Sequence, residues 1–208
     1  FRPFLVKEEK VMLMMKESDS PKEIIGCIEK VVQSCVEDDT KVQDLSYFDL
    51  EHLFIHMRAR SVGESIDINY TCEKCEKSFP LEVKIENLSL NKDYPKETIV
   101  MLQENVGVEV KPLSADSIGA YTGEDTDVLS LSENVIKTVF NDQNVYNFND
   151  FTKQEREDFI ESLSISQIQK IIEKVDEFPR CVIKQSCKCT HCGENLDIEV
   201  EGLQNFFT

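Results

Sequence analysis

Cys72-Glu73-Lys74-Cys75 and Cys189-Thr190-His191-Cys192-Gly193 are the stretches on which the fold of this chain turns. Each is a C-x2-C knuckle, and 113 residues lie between them. A C-x2-C turn puts two thiols on one side of a tight loop, so each pair can supply half of a tetrahedral site. Two halves make the closed four-cysteine set that zinc uses in structural sites. The expected ligands are therefore Cys72, Cys75, Cys189 and Cys192, and the expected cofactor is a structural Zn2+. Four thiolates leave no open position for a reactive water, so metal catalysis is not expected.

The flanks repeat around the two knuckles. Ile66-Asp67-Ile68-Asn69-Tyr70 precedes the first and Phe79-Pro80-Leu81-Glu82-Val83-Lys84-Ile85 follows it, with apolar residues at every second position. Cys181-Val182-Ile183-Lys184 precedes the second, and Leu196-Asp197-Ile198-Glu199-Val200 follows it. Strand, knuckle, strand thus occurs twice, which predicts a zinc ribbon split between residues 64–88 and 180–203. Unmetallated thiols and a redox dithiol are the competing readings. A thioredoxin-type C-x-x-C sits between a strand and a helix, whereas both knuckles here run into strand patterns.

Of the eight cysteines, Cys27 and Cys35 fall on an apolar helical stripe and Cys181 in a strand pattern; all three read as small core residues. Cys187 could replace Cys189 as a ligand, although the C-x2-C-G spacing favours Cys189. Metal-type spacing points to a reducing compartment rather than to disulfides. The opening residues contain no long apolar core, and no stretch reaches the length of a membrane span, so a cytosolic site of synthesis is expected.

The chain carries 40 acidic and 23 basic residues, a net charge of −17. That balance opposes binding to a phosphate backbone or to an anionic membrane. It weighs against the main alternative for a zinc ribbon, a nucleic-acid-binding or transcription-associated module. No G-x-S-x-G, P-loop or nucleophile–base pair is present, and no enzymatic activity is expected. His52 and His56 stand four apart on a helical pattern but enclose Leu53-Phe54-Ile55, without the glutamate of a zinc protease. They read as solvated or hydrogen-bonded. His191 reads as part of an exposed turn.

Residues 1–63 read as an N-terminal helical region. A helix is expected over 6–18, with its methionines read as core in preference to an adaptable contact surface. A second begins at Ser20-Pro21 and carries the stripe Ile24, Cys27, Ile28, Val31, Val32 and Cys35. Ser46 caps a third that runs to about Val62. Its apolar set, Phe48, Leu50, Leu53, Phe54, Ile55 and Met57, is too broad for one stripe, so the helix is either central to the packing, the favoured reading, or in contact with a partner. Residues 89–179 read as an inserted subdomain with a hairpin around Asn105. A helix is expected from Asp127 to Phe140, and further helices open with capping boxes at Thr152 and Ser164. Residues 87–97 and 141–150 read as loops. The expected fold class is α+β, mainly helical, with the split ribbon and the inserted hairpin-plus-helices unit.

Arg2-Pro3-Phe4 leads into Lys7-Glu8-Glu9-Lys10. Phe48-Asp49-Leu50-Glu51 leads into Leu53-Phe54, and Arg58-Ala59-Arg60-Ser61-Val62-Gly63 into the first ribbon strand. With the two knuckles, this pattern resembles the baseplate hub assembly proteins of T4-type contractile-tailed phages. The resemblance is densest over residues 2–88, resumes around 187–203, and is less distinctive over 89–180. It implies a non-enzymatic late viral protein that helps form the central hub of the tail baseplate. The implied role is that of assembly factor, chaperone or hub component. The implied partners are other hub proteins, with the tape-measure protein among the candidates. The implied location is the host cytoplasm or the virion baseplate.

Overall fold

Three helices open the chain, and Ser20 and Ser46 cap the second and third. A computed structural model describes residues 1–15, 20–115, 117 and 128–202. Helix α1 spans Val6–Met15, and the Leu5 N–H donates to Glu8 Oε2 at 2.8 Å at its entry. Glu8 is buried and also accepts from Arg2 Nη2 at 3.0 Å and Ser34 Oγ at 3.1 Å. The Arg2 guanidinium holds this carboxyl down at a pKa of about 2, with the Leu5 N–H and Ser34 hydroxyl assisting against desolvation. Arg2 also donates to the Ser34 carbonyl at 2.8 Å, so the first residues are tied to helix α2, Pro21–Cys35. Helix α3 spans Tyr47–Ser61, with Ser46 Oγ accepting the Asp49 N–H at 3.2 Å.

Helix α3 is central, as its broad apolar set requires: Leu50, Phe54, Ile55 and Met57 are all fully buried. They form a first core with Ile28, Val32 and Cys35 of α2 and with Ile66, Val83, Cys181, Ile183, Ile198 and Val200 from strands. Cys27 packs half-buried against it. The methionines of α1 divide. Met15 is buried and Met12 packs against the core, but Met14 is 72% and Leu13 57% exposed. The expectation that they all lie in the core is thus corrected. Residues 16–18 of the expected helix lie outside the described residues.

Two antiparallel hairpins carry the knuckles. Strands β1 (Ser65–Thr71) and β2 (Ser78–Lys84) pair with Ile66 opposite Val83. Strand β3 (Leu88–Leu90) follows, then β4 (Ile99–Gln103) and β5 (Val106–Val110), the expected hairpin around Asn105. Helix α4 (Val128–Val135) leads into β6 (Ile136–Asn141) and β7 (Val145–Asn147). Helices α5 (Lys153–Glu161) and α6 (Ile165–Val175) come next, both with complete capping boxes, from Thr152–Glu155 and Ser164–Gln167. Strands β8 (Cys181–Lys188) and β9 (Asn195–Glu201) form the last hairpin. Among the described residues the strands form three sheets, β1-β2, β3-β8-β9 and β4-β5-β6-β7.

A second core lies wholly within residues 100–178 and includes Val100, Val108, Leu131, Val135, Ile136, Phe148, Ile160 and Ile171. Three expectations change here. The helix expected to reach Phe140 ends at Val135, because Ile136–Asn141 pairs with β5 and β-branched side chains favour that pleated surface. Its expected start at Asp127 lies outside the described residues. Leu88–Leu90 is a strand against β8, not a loop. Val145–Asn147 is an edge strand, and Phe148 just after it is buried. The fold is therefore α+β, with more strand than the periodicity suggested. No described helix is long and apolar enough to cross a membrane.

Candidate metal centre

Each knuckle is built the same way. In the first, the Glu76 N–H donates to the Cys72 carbonyl at 2.8 Å, and Cys72 N–H to the Lys77 carbonyl at 3.1 Å. In the second, Gly193 N–H donates to the Cys189 carbonyl at 2.9 Å, and Cys189 N–H to the Glu194 carbonyl at 2.9 Å. Both turns need a left-handed residue after the second cysteine: Glu76 has φ +56° and Gly193 φ +74°. The second knuckle uses glycine, which adopts this conformation without a Cβ clash; the first does not.

The hairpins bring all four cysteines together. Their Sγ atoms lie within 4.8 Å of one another. Cys72 Sγ is 3.8 Å from Cys192 Sγ, and Cys75 Sγ is 3.7 Å from Cys189 Sγ. A tetrahedral ion with Zn–S bonds of about 2.3 Å has S···S edges of about 3.8 Å. The spacing thus fits a thiolate-bound zinc, and all eight cysteines are free of disulfides. Cys72 and Cys189 are buried, Cys75 is half-buried and Cys192 is exposed. Among the described residues this is the one group of three or more metal-capable side chains.

The four thiols are crowded, and their electrostatics conflict. Burial opposes the Cys189 thiolate, but the N–H groups of Cys192 and His191 outweigh it and bring its pKa down to about 6. The Lys77 N–H favours the Cys75 thiolate, yet desolvation and the neighbouring thiols push its pKa up to about 11. A dication removes this conflict, because every ligand thiol is then deprotonated against positive charge.

Cys187, the rival ligand, sits on β8 two residues before Cys189, about 7 Å back along the strand. It packs against the cluster beside Tyr70 and Phe79 without joining the four sulfurs, and burial pushes its thiol pKa up. His191 is exposed and also lies outside the four; its Nε2 is 3.1 Å from the Ser78 carbonyl of the other hairpin. His52 and His56 face each other on α3, with Nε2 atoms 3.3 Å apart.

Sequence reasoning missed the groups that join the hairpins. Lys74 of the first knuckle forms an ion pair with Glu194 of the second. Gln185 of β8 accepts the Lys84 N–H at 3.1 Å and donates to the Glu82 carbonyl at 2.8 Å. A side-chain amide thus substitutes for a ladder between two sheets. No periodicity marks such a residue, because its role depends on which strand edge lies opposite.

An α+β protein whose two distant hairpins converge on a four-cysteine cluster is the class that this architecture and site define. The family model described as T4 bacteriophage base plate protein matches residues 1–208, and the chain belongs to that family. Among curated relatives it is similar to baseplate hub assembly protein gp26 of Enterobacteria phage T4. The two are 23% identical over 209 residues, which cover 99% of this chain and 90% of the relative. No solved structure gives a significant match. The family match includes residues 89–180, where the sequence resemblance was least distinctive.

Proposed function

We propose that this protein acts, without enzymatic activity, in assembly of the central hub of a contractile-tail baseplate, and that Cys72, Cys75, Cys189 and Cys192 hold a structural Zn2+. The observation that carries the role is the family match over the full chain, beside a relative named as a baseplate hub assembly protein. The four sulfurs at tetrahedral-edge spacing support the metal. The protein works as an assembly factor or hub component through protein contacts. Other hub proteins are its partners, with the tape-measure protein among the candidates, in the host cytoplasm or on the virion baseplate. The unit at 89–179, which holds its own core, carries the partner-specific contacts, while the zinc module fixes the frame.

Co-expression with hub proteins of the same phage, followed by size-exclusion chromatography, tests the role. A defined complex is expected with at least one of them; baseplates that assemble normally without this protein would refute it. Elemental analysis tests the metal. One zinc per chain is expected, and Cys72→Ser and Cys189→Ser should each lose it. Full zinc in the Cys189→Ser variant would assign the ligand to Cys187.

A further inference from the structure

We propose that a cavity between the two cores receives a lysine or arginine side chain from a partner protein, with its cationic head against Glu51. The cavity measures about 350 Å3, at the small end of ligand sites. It lies where the N-terminal helices meet the 89–179 unit. Nearby, the Tyr47 N–H donates to the Leu113 carbonyl at 2.8 Å, and Ser46 bridges Ser114. Leu113 packs against both cores.

The walls are apolar: Phe48, Leu113, Phe178 and Pro179. Glu51 lines the same space, is 2% exposed, and its Oε1 has no hydrogen-bond partner among the described residues. A buried acceptor without a partner costs about 1–3 kcal/mol, more if charged, so a donor brought to it is strongly favoured. Asp176 and Glu201 add two more carboxylates to the lining. Among the described residues the one cation in the lining is Arg180, whose side chain is 55% exposed, with Nη2 3.4 Å from Asp176 Oδ1.

Apolar walls, an unmatched acceptor and surplus negative charge select an aliphatic stem ending in an ammonium or guanidinium. An anionic ligand would meet the carboxylates, and a wholly apolar one would leave Glu51 Oε1 unmatched. The residues 89–179 that build half the wall hold 18 acidic and eight basic side chains, so a basic partner is also drawn to this region. That the partner is a hub protein rests on the reading above; the cavity's selectivity does not.

The test uses the zinc-loaded full chain at pH 8, observed by heteronuclear NMR. It is titrated with n-butylammonium, n-butylguanidinium, n-butanol, and blocked pentapeptides with a central lysine or a central methionine. Saturable shifts at Phe48, Leu113 and Phe178 are expected with the cations and the lysine peptide. The lysine peptide should bind tighter than n-butylammonium, and the alcohol and methionine peptide at least ten-fold more weakly. Glu51→Gln, isosteric and expected to fold, should weaken cation binding at least ten-fold. Equal response to n-butanol, or unchanged binding in Glu51→Gln, overturns the proposal. So does a lysine peptide weaker than the free amine, which would make the site one for small amines. If only Arg180→Ala binds the cations, the chain's own arginine is the occupant and the proposal fails. None of these outcomes bears on hub assembly, which the co-expression experiment decides separately.

Discussion

Glu76 and Gly193 hold equivalent places in the two knuckles, and both have positive φ. A side chain there costs about 1 kcal/mol in backbone strain. Gly193→Ala should therefore lower stability by about 1 kcal/mol, while Glu76→Gly should raise it by up to about 1 kcal/mol. Chemical denaturation of the zinc-loaded protein reads both, and a loss in each would refute the equivalence. Glu51 carries a pH prediction. Burial pushes its pKa up to about 7, against the pull of the Cys181 N–H, with Glu201 raising it and Arg180 lowering it. A carboxyl with a raised folded-state pKa binds its proton more tightly in the fold than in the unfolded chain. Its penalty is absent below about 4.5, grows as pH rises to about 7, and is constant above. Glu51→Gln should thus stabilise the protein by about 3 kcal/mol at pH 8 and have little effect at pH 4. An equal effect at both pH values would show that ionisation is not the cause.

At the scale of elements, local signals and tertiary pairing divide the chain. The capping boxes at Thr152 and Ser164 are legible because each is complete within four residues, and both form. Ile136–Asn141 is not legible, because its apolar spacing suits a helix until β5 and β7 supply ladders on either side. On the face of that sheet, Met101, Gly107, Phe140 and Val145 stand in register across all four strands. Phe140 lies over Gly107, where a Cβ would come 2.4 Å from its Cζ. Gly107→Ala should destabilise by about 1–3 kcal/mol as the ring is forced aside. Much of that loss should vanish when the substitution is made in a Phe140→Ala background. Additive losses in the double-mutant cycle would show that the ring contact is not what requires glycine.

At the scale of the molecule, the described residues form two cores joined to one four-cysteine cluster, whose halves lie 113 residues apart in sequence. A metal there links the folding of everything between, since its binding free energy becomes folding free energy. Removing zinc with a chelator should lower Tm by at least about 10 °C, taking about 2–4 °C per kcal/mol for a chain of this size. The resonances of β1, β2, β8 and β9 should change most. A chelated protein with unchanged Tm would show that the hairpins hold by packing and polar contacts without a metal. At this scale the −17 charge also acts, favouring solubility and opposing nucleic-acid contact.

The sequence alone determined the two knuckles, their flanking strands, the central helix α3 and the capped helices α5 and α6. Each is encoded within a short window, by spacing, period or cap. The N-terminal pattern likewise carried the family resemblance, and its Arg2 and Glu8 are partners in the fold. Only the tertiary structure decided that β3, β6 and β7 are strands, that Cys187 stands beside the sulfur cluster rather than within it, and that Glu51 lines a cavity between the cores. These outcomes depend on which surface meets which across long sequence separations. Burial, pairing and the dielectric around a charge are properties of those meetings, and a single segment does not contain them.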